Sequence, residues 1–311
     1  MQNYLSVNNI ESLQAWVTEA RALKAAPRSH IQLGKGKTLG LLFFNNSLRT
    51  RLSTQKAAMN LGMDVIVMNF GNEGWTLEFE DGTIMDQGAA EHVREAAQVV
   101  SQYCDIIGIR AFAGLKDRDK DEAEEVLQGF SRHASVPILN LESSLSHPLQ
   151  ALADAITIAE YQRKARPKVV LSWAPHPRAL PHAVANSFVE MMRLQHADFV
   201  ITHPRGYELD PRITRGIPIE YVQDTALKDA DFVYVKNWSS YSDYGEVLSR
   251  DPGWMMTAKK LGGAQFMHCL PVRRNVVVED AVLDGNQSLI LAQADNRTYA
   301  AQLVLKKLLE Q

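Results

Sequence analysis

Hydrophobic and polar residues alternate along the chain in two regular patterns. Short apolar runs predict buried strands, and apolar positions that recur every three or four residues predict helices packed against them. In the first half these patterns predict strands at 38–44, 64–70, 105–112 and 136–141, and helices beginning at Asn9 and at 47–62, 89–102, 121–134 and 147–161. In the second half they predict strands at 167–173, 198–202, 219–222, 231–236, 265–270 and 289–291, and helices at 181–195 and 294–310.

This alternation predicts an α/β fold. Helices that connect successive parallel strands cover both faces of a sheet, so each half of the chain is expected to form one doubly wound parallel-sheet lobe. We predict a domain boundary after residue 145, which gives domains 1–145 and 146–311, with the helix at 147–161 bridging them. Ligands of such lobes bind outside the carboxyl ends of the strands, so the residues that follow each strand are the candidates for function.

Composition narrows the class of protein further. The chain has 311 residues, 46% of them hydrophobic, and a formal net charge of −3, without a basic stripe or a run of membrane-spanning length. The N-terminus lacks the pattern of a signal peptide, and the only cysteines, Cys104 and Cys269, lie far apart in sequence. We therefore expect a cytoplasmic enzyme with small-molecule substrates and with neither nucleic acid nor a membrane as partner.

The segment Ser47-Leu48-Arg49-Thr50-Arg51 is the strongest local signal. It follows a predicted strand and opens a predicted helix, where free backbone N–H groups and the helix dipole favour an anion. Arginine forks and hydroxyl groups match the oxygens of a phosphate. The segment therefore predicts a phosphate site, although an N-capped surface helix with solvated arginines has the same pattern.

Polar side chains also follow the other predicted strands. Taken singly, Arg110 has an ordinary explanation as a salt bridge, His147 as a helix cap, and Cys269 as a small buried hydrophobe. Taken together, they favour one anion-binding site, because the carboxyl ends of parallel strands lie at the same edge of a sheet. The candidates after these strands are Arg110, Glu142, His147, Gln150, His176, Arg178, Lys236, Cys269, Leu270, Arg273 and Arg297.

Several competing site types lack their sequence pattern. The segment Gly34-Lys35-Gly36-Lys37-Thr38 resembles part of a nucleotide-binding loop, but Ile31 replaces the first glycine and the segment precedes a strand. No dinucleotide fingerprint follows a strand, no Gly-x-Ser-x-Gly elbow occurs, and the histidines lack zinc-ligand spacing. We therefore expect no nucleotide cofactor and no metal.

In combination, the motifs resemble the aspartate/ornithine carbamoyltransferase family. They run in the family's order over nearly the whole chain, and they are Ser47-Leu48-Arg49-Thr50-Arg51, Arg110, His147-Pro148-Leu149-Gln150, His268-Cys269-Leu270-Pro271 and Asn296-Arg297. The resemblance implies two lobes, with the last helix packing back on the first, and a homotrimer with active sites shared between subunits. It also implies that carbamoyl phosphate is bound by Ser47, the Leu48 backbone, Arg49, Thr50, Arg110, His147, Gln150 and Arg297, and that Cys269 and Leu270 line the reacting centre.

Within the family, the chain resembles the branch that acts on Nα-acylated ornithine. The segment Gly74-Trp75-Thr76-Leu77-Glu78 is similar to that branch, in which a tryptophan from a neighbouring subunit contacts the phosphate. The segment 236–241 replaces the loop with which ordinary ornithine enzymes bind a free α-amine. Asn46 departs from the proline usual in the family, and we expect only a modest effect on the rigidity of the phosphate loop.

In this branch, the preference for an acetyl or a succinyl group on the acceptor follows one residue in the loop after Met85-Asp86. Acetyl-specific members resemble one another in having glutamate there, succinyl-specific members have proline, and this chain has Ala90. Glutamate would repel a succinyl carboxylate and occupy its space, whereas alanine does neither. We therefore predict transfer to N-succinyl-L-ornithine for arginine biosynthesis. N-acetylornithine as the acceptor and a non-catalytic sensor of the same ligands are the alternatives. The cations available for the succinyl carboxylate are His176, Arg178, Lys236 and Arg273.

The resemblance also suggests a mechanism. Thr50, Arg110 and His147 would donate hydrogen bonds to the oxyanion that forms when the δ-amine attacks. Glu142 and Lys236 would orient the acylated amino acid. Cys269 would position the amine, because the reaction requires no covalent intermediate.

Overall fold

The computed structural model describes residues 1–311, with the side chains of 1–71 and 73–311. The chain divides into two compact units. Unit 1 contains Met1–Gly114, Arg118–Leu149 and Arg297–Gln311, and unit 2 contains Leu115–Asp117 and Gln150–Asn296. The chain passes between the units after Leu149 and after Asn296, inside two helices.

The strands lie close to the predicted apolar runs. In chain order they are β1 Thr38–Phe43, β2 Asp64–Asn69, β3 Leu77–Glu78, β4 Glu91–His92, β5 Ile106–Ala111, β6 Ile138–Ser143, β7 Lys168–Trp173, β8 Asp198–Thr202, β9 Ile219–Glu220, β10 Phe232–Lys236 and β11 Gln265–Met267.

Helices connect most of these strands. They are α1 Leu13–Ala25, α2 Arg49–Leu61, α3 Phe70–Glu73, α4 Val93–Tyr103, α5 Arg118–Ala123, α6 Glu125–His133, α7 Pro148–Tyr161, α8 Ala183–Leu194, α9 Pro211–Thr214, α10 Gln223–Leu227, α11 Ala258–Leu261, α12 Asp280–Leu283 and α13 Ile290–Leu309, with short 3₁₀ helices at Val7–Asn9 and Pro252–Trp254.

Unit 1 is built on a four-stranded parallel sheet in the order β2-β1-β5-β6. The inner strands β1 and β5 are almost wholly buried, as their continuous apolar sequences require. Helices α4 and α6 cover one face and form a core with β5. Gly108 suits this central strand, because a Cβ there would lie 3.0 Å from Leu41 Cδ2 and 3.2 Å from Leu141 Cδ2.

Unit 2 is built on a five-stranded parallel sheet in the order β11-β10-β7-β8-β9. Strands β7 and β10 lie side by side and are buried almost throughout. One core packs Val170, Val233, Val235 and Phe266 against the chain around α10 to α12. Both units therefore have the parallel α/β organisation that the alternating pattern predicts, and the predicted fold class is confirmed.

Three predicted elements are corrected. The first helix begins at Leu13 and not at Asn9, because Ser12 is the N-cap and its hydroxyl accepts a hydrogen bond from the Ala15 amide. The helix predicted at 121–134 is two helices, α5 and α6, separated by Glu124 in the left-handed conformation. The strand predicted at 289–291 is wrong, because helix α13 begins at Ile290.

The C-terminal part of α13 belongs to unit 1 and has polar contacts within it. Gln302 accepts a hydrogen bond from Asn60 and donates one to the Pro27 carbonyl oxygen, over 2.9 and 2.6 Å. Farther along the helix, Lys306 and Lys307 pair with Glu19 on α1. These contacts link the end of the chain to α1 and α2.

Helix α2, which opens with the predicted phosphate segment, ends at a glycine for a steric reason. Gly62 has φ +84°, and a Cβ at this position would lie 2.0 Å from the Ile31 carbonyl oxygen. Glycine adopts this left-handed cap at little cost, and at this position no side chain fits beside that carbonyl oxygen. Among the residues that the structure describes, no helix is long and apolar enough to cross a membrane.

Candidate active site

Three neighbouring strands or their following turns present polar side chains at the carboxyl edge of the unit 1 sheet. Thr50 lies in the first turn of α2 after β1, Arg110 lies near the end of β5, and Glu142 lies near the end of β6. Since β1, β5 and β6 are adjacent and parallel, these side chains reach the same edge. His147, just before α7, and Arg297, in α13, join them.

The Thr50 hydroxyl accepts hydrogen bonds from two arginines. Arg297 Nη2 lies 2.6 Å from Thr50 Oγ1, and Arg110 Nη1 lies 3.3 Å from the same oxygen. Thr50 is 1% exposed and Arg297 is 6% exposed, so this contact is removed from bulk water. Because the hydroxyl accepts from both guanidinium groups, its own proton can be donated to a third group.

Glu142 supplies the negative charge next to these cations. Its carboxylate pairs with the Arg110 guanidinium and lies 3.4 Å from His147 Nε2. The side chains of Arg110 and Glu142 are only 11% and 12% exposed. The ring of Phe112 lies 5.1 Å from the Arg110 guanidinium carbon, and it lines the same strand end.

The start of helix α2 has the geometry of an anion site. Ser47 Oγ accepts a hydrogen bond from the Thr50 amide over 3.3 Å, which fixes the turn between β1 and α2. Leu48 precedes the helix with an exposed side chain, and Arg49 is its first residue. This arrangement leaves the first amides of α2 next to the Thr50 hydroxyl and its two arginines, where an anion is stabilised by the amides, the dipole and the cations together.

Two further predicted residues lie beside the small parallel sheet of β3 and β4, each shortly before one of its strands. Trp75 is 58% exposed, and its indole Nε1 donates to Glu91 over 2.9 Å. The Ala90 amide donates to the Thr76 carbonyl oxygen over 3.0 Å, so Ala90 and Trp75 lie on neighbouring segments. Both side chains are accessible from outside the chain.

Unit 2 contains a cluster of cations at the carboxyl ends of β7 and β10. His176 follows β7 and lies 3.0 Å from Arg273, measured from ring Nε2 to guanidinium Nε. Burial lowers the pKa of His176, and the positive charges of Arg273, Lys236 and Arg178 lower it further. Since Arg273 donates to Nε2, the ring is neutral with its proton on Nδ1, which donates to the Arg178 carbonyl oxygen over 2.9 Å. The cluster therefore has three full positive charges and suits a carboxylate.

The remaining predicted residues of unit 2 follow β11 or begin α7. Cys269 is buried, and Leu270 has a positive φ of 56°. The Leu270 amide donates to His268 Nδ1 over 2.8 Å, which closes a tight turn around Cys269. Gln150, in the first turn of α7, donates to the Asp154 carboxylate over 2.7 Å.

Family models match most of the chain. The carbamoyl-P binding domain of aspartate/ornithine carbamoyltransferase matches residues 2–160, and its Asp/Orn binding domain matches residues 181–308. The chain belongs to the aspartate/ornithine carbamoyltransferase family. The resemblance of its motifs to this family is thereby confirmed, and the protein is a carbamoyltransferase.

Other members of the family match the chain over its full length. The N-succinylornithine carbamoyltransferase of Bacteroides fragilis (strain 638R) is 48% identical over 315 residues, covering 100% of this chain and 99% of the relative. The N-acetylornithine carbamoyltransferase of Xanthomonas axonopodis pv. citri (strain 306) is 33% identical, covering 99% and 98%. A crystal structure of an N-acetyl-L-ornithine transcarbamylase mutant with one glutamate replaced by alanine, complexed with carbamyl phosphate and N-succinyl-L-norvaline, has a TM-score of 0.92, is 32% identical and covers 99% and 100%.

In this carbamoyltransferase, three buried polar residues next to the predicted site were missed from the sequence. Asp154, Tyr234 and Gln293 lie close to Gln150 or to the turn that holds Cys269. The available signal was Asp154, a carboxylate in the first half of α7, where Gln150 is the only other polar residue. No group of three or more His, Cys, Asp or Glu side chains that could hold a metal occurs among the residues described.

Proposed function

We propose that this carbamoyltransferase transfers the carbamoyl group of carbamoyl phosphate to the δ-amine of N-succinyl-L-ornithine, giving N-succinyl-L-citrulline and phosphate. The full-length similarity to an N-succinylornithine carbamoyltransferase supports this acceptor. The observation that carries the chemistry is the Thr50 hydroxyl between Arg110 and Arg297 at the start of α2. That arrangement stabilises a phosphate and an adjacent oxyanion.

The phosphate group is bound at the N-terminus of α2. The Leu48 amide, the Ser47 and Thr50 hydroxyls and the Arg49 side chain belong to that turn, and Arg297 contributes a guanidinium from α13. A charge-assisted hydrogen bond is stronger than a neutral one, and a guanidinium fork fixes the orientation of the phosphate as well as its charge. The exposed Trp75 acts on the phosphate bound by a neighbouring subunit.

The carbonyl oxygen of the carbamoyl group interacts with Thr50, Arg110 and His147. When the δ-amine attacks the carbonyl carbon, this oxygen takes up negative charge, and the three donors stabilise it most strongly in the transition state. The bond from carbon to the phosphate oxygen then breaks, its electron pair remains on phosphate, and phosphate accepts the proton that the amine loses. Atoms and charges balance without a covalent enzyme intermediate.

The attacking amine must be neutral. A free alkyl amine has a pKa of about 10.4 by analogy with lysine, and nearby positive charges lower that value. Arg178, Lys236 and Arg273 are such charges in unit 2. Cys269, held in the tight turn after β11, positions the amine, and Glu142 and Lys236 orient the acylated amino acid.

The succinyl carboxylate is bound by the three cations Arg178, Lys236 and Arg273 together with the neutral His176 ring. A carboxylate gains from cations that are already assembled, as these are around His176, and Lys236 among them is buried. Ala90 leaves room for the succinyl group where a glutamate would repel it. The N-acetyl-L-ornithine transcarbamylase mutant complexed with N-succinyl-L-norvaline, in which one glutamate is replaced by alanine, agrees with this argument.

Exposed apolar side chains of unit 1 also support a proposal for how the subunits assemble. Leu48, Leu52, Met59 and Ile66 are exposed apolar side chains on or near α2 and β2, and such a patch is typical of a subunit interface. We infer a cytoplasmic homotrimer with active sites shared between subunits and a role in arginine biosynthesis.

The experiment that tests the function is a turnover assay with purified protein and carbamoyl phosphate. Ornithine, N-acetyl-L-ornithine and N-succinyl-L-ornithine are offered in parallel, and the citrulline product is measured. We expect turnover with the succinyl substrate. Preference for the acetyl substrate would contradict the proposed acceptor, and silence with all three would favour a sensor.

A further inference from the structure

The segment 143–146, at the junction of β6 and α7, lies between two residues of the candidate site. Glu142 precedes this segment and His147 follows it. Glu142 Oε2 lies 3.4 Å from His147 Nε2, and the Glu142 carboxylate also pairs with the Arg110 guanidinium. Because only four residues separate Glu142 from His147, the shape of the segment determines how these two side chains meet.

The two terminal serines close the segment 143–146 into a clasp. The Ser143 amide donates to the Ser146 carbonyl oxygen over 2.8 Å. The Ser143 hydroxyl donates to the same carbonyl oxygen and accepts from the Ser146 amide, in both cases over 3.2 Å. Since Glu142 and His147 are the next residues on either side, these three hydrogen bonds bring the two site residues together.

The Ser143 hydroxyl uses its whole hydrogen-bonding capacity within unit 1. Besides its two contacts with Ser146, it accepts a hydrogen bond from Asn140 Nδ2 over 2.9 Å. A hydroxyl group has one hydrogen to donate and two lone pairs with which to accept, and all three are used here. Ser143 is also only 1% exposed. The hydroxyl therefore acts on the clasp and not on a ligand.

Asn140 connects the clasp to the N-terminal segment of the chain. Its NH₂ group also donates to the Leu5 carbonyl oxygen over 2.8 Å, and a carbonyl can only accept, so the orientation of this amide is fixed. The backbone around it is paired as well. The Tyr4 amide donates to the Ile138 carbonyl oxygen, and the Asn140 amide donates to that of Tyr4, over 2.9 and 2.8 Å. The base of the clasp is thus held by paired backbone on the edge of the sheet.

A second contact holds the middle of the clasp. Glu124 Oε1 accepts a hydrogen bond from the Leu145 amide over 2.9 Å. Glu124 has a φ of 48°, in the left-handed region that is unfavourable for a residue with a side chain. The break between α5 and α6 therefore lies at the residue that binds the clasp.

We propose that Ser143 is a positioning residue for carbamoyl transfer, with Glu124 supporting it from α6. Neither side chain touches the substrates. The clasp holds His147, a donor to the oxyanion, in a fixed relation to Glu142, which orients the acceptor. Such a donor works because it is directed at the oxygen before the reaction begins, and a displacement of about 1 Å can cost on the order of a hundredfold in rate. This inference rests on the proposed function, which supplies the roles of His147 and Glu142.

The test compares purified full-length variants at saturating carbamoyl phosphate and N-succinyl-L-ornithine. Ser143→Ala removes all three hydrogen bonds of the hydroxyl, and we expect kcat to fall roughly tenfold or more. Ser143→Thr keeps a hydroxyl at the same position, so kcat should return to within about threefold of the parent. An unchanged kcat in Ser143→Ala would overturn the proposal, as would a threonine variant that behaves like the alanine one.

Ser101 provides a matched control in the same unit. Its buried hydroxyl also donates to a backbone carbonyl oxygen, that of Ala97, and accepts from a backbone amide, that of Ser135, over 2.6 and 3.1 Å. Ser101→Ala should therefore lower the melting temperature as Ser143→Ala does, but leave kcat unchanged. Equal losses of kcat in the two alanine variants would assign the effect to general stability and overturn the proposal.

A double-mutant cycle tests whether Ser143 acts through His147. Once His147 is replaced by alanine, the donor that the clasp positions is absent. We therefore expect Ser143→Ala to reduce kcat at least about threefold less in the His147→Ala background than in the parent. Effects that multiply in full, as for independent residues, would overturn the proposal.

Glu124 provides a second pair of variants if Ser143→Ala does not fold. Glu124→Ala removes the acceptor of the Leu145 amide, whereas Glu124→Gln keeps an oxygen that can accept it. We expect kcat to fall roughly threefold or more in the alanine variant and to remain near the parent value in the glutamine variant. Equal kcat values in these two variants would overturn the proposal.

Calorimetric binding of carbamoyl phosphate separates a failure of this inference from a failure of the proposed function. A parent protein that turns over no ornithine derivative would contradict the proposed function. In that case the clasp is judged by binding alone, since His147 also contacts the carbonyl oxygen of bound carbamoyl phosphate. We expect Ser143→Ala to weaken binding roughly threefold or more, and Ser143→Thr and Ser101→Ala to leave it unchanged. Equal binding by all of these variants, or no binding by the parent, would overturn the inference.

Discussion

Arg297 donates a hydrogen bond to the Thr50 hydroxyl over 2.6 Å, although the two residues lie 247 positions apart in sequence. Arg110 donates to the same oxygen from β5. One small hydroxyl group therefore joins the start of α2, the end of β5 and the last helix within unit 1. These two hydrogen bonds fix the position of the hydroxyl between the proposed phosphate and oxyanion sites.

Replacement of Thr50 tests this arrangement. Thr50→Val keeps the shape of the side chain but leaves both guanidinium groups without their shared acceptor. We expect kcat to fall roughly tenfold to a hundredfold, the usual effect of losing a hydrogen bond to a charged group. Thr50→Ser keeps the hydroxyl and should remain close to the parent. Equal rates for Val and Ser in a citrulline assay would show that the hydroxyl is not needed.

Arg110 should affect the rate of reaction more than substrate binding. Arg110→Ala removes a proposed oxyanion donor, and we expect kcat to fall about 10²- to 10³-fold, as is typical for such donors. Arg110→Lys keeps the charge without the guanidinium fork and should be intermediate. Steady-state kinetics at saturating concentrations of both substrates measures the effect. A loss of less than about tenfold in the alanine variant would contradict the role.

Ala90 should control the choice of acyl group. Ala90→Glu places a carboxylate where the succinyl carboxylate is proposed to bind, so kcat/KM for N-succinyl-L-ornithine should fall roughly a hundredfold or more through repulsion. Activity with N-acetyl-L-ornithine should be retained or increased. Ala90→Gln has the same size without the charge and separates repulsion from occlusion. If both variants keep the succinyl preference, Ala90 does not contribute to it.

Subunit mixing tests the shared active sites. Trp75→Ala and Arg110→Ala should each be nearly inactive alone. If the tryptophan acts on a neighbouring subunit's site, dissociating and reassembling the two variants together restores sites with both residues. Random mixing in equal amounts should restore about a quarter of the sites in a closed cyclic trimer. Activity that stays at the level of the separate variants would contradict the sharing of sites.

Stability should decrease in mild acid because of buried His203. Burial lowers the pKa of its ring below the ordinary 6.5, and Tyr221 and Trp238 surround it with ring centroids 5.4 and 6.2 Å away. Glu208 and the Pro204 carbonyl oxygen oppose the shift without reversing it. Below pH 6.5 the unfolded chain binds the extra proton first, so the free energy of unfolding falls as the pH falls. His176, whose pKa is also lowered, contributes with the same sign.

Denaturant titrations between about pH 5 and pH 7.5 measure this slope, which cannot exceed about 1.4 kcal/mol per pH unit for each proton. His203→Asn keeps a donor near the Pro204 carbonyl oxygen and removes the titrating ring, so the slope should become flatter. The exposed His196 provides a matched control, and His196→Asn should leave the slope unchanged. An equal slope in the parent and in His203→Asn would exclude His203 as the cause.

Much of the architecture was predictable because it depends on local patterns. Continuous apolar runs such as 38–44, without the alternating polar residues of a surface strand, identified the inner strands of the sheets. The alternation of these strands with helices predicted the correct fold class. The order of the motifs also predicted the family correctly. The strand predicted at 289–291 is wrong because three apolar residues are too few to distinguish a strand from the start of a helix. Their conformation is set by helix α13, which begins at Ile290.

The site was predictable as a set of residues but not as a set of contacts. Sequence by itself determined which residues follow the strands, because the end of a strand can be located from the residues around it. This was enough to predict Thr50, Arg110 and the cations after β7 and β10 as site residues. Only the tertiary structure decided that Arg297 reaches Thr50 and that Asp154 holds Gln150 and Gln293. The reason is physical: a buried polar group must be satisfied by whichever partner the packing brings to it, and that partner comes from a distant part of the chain.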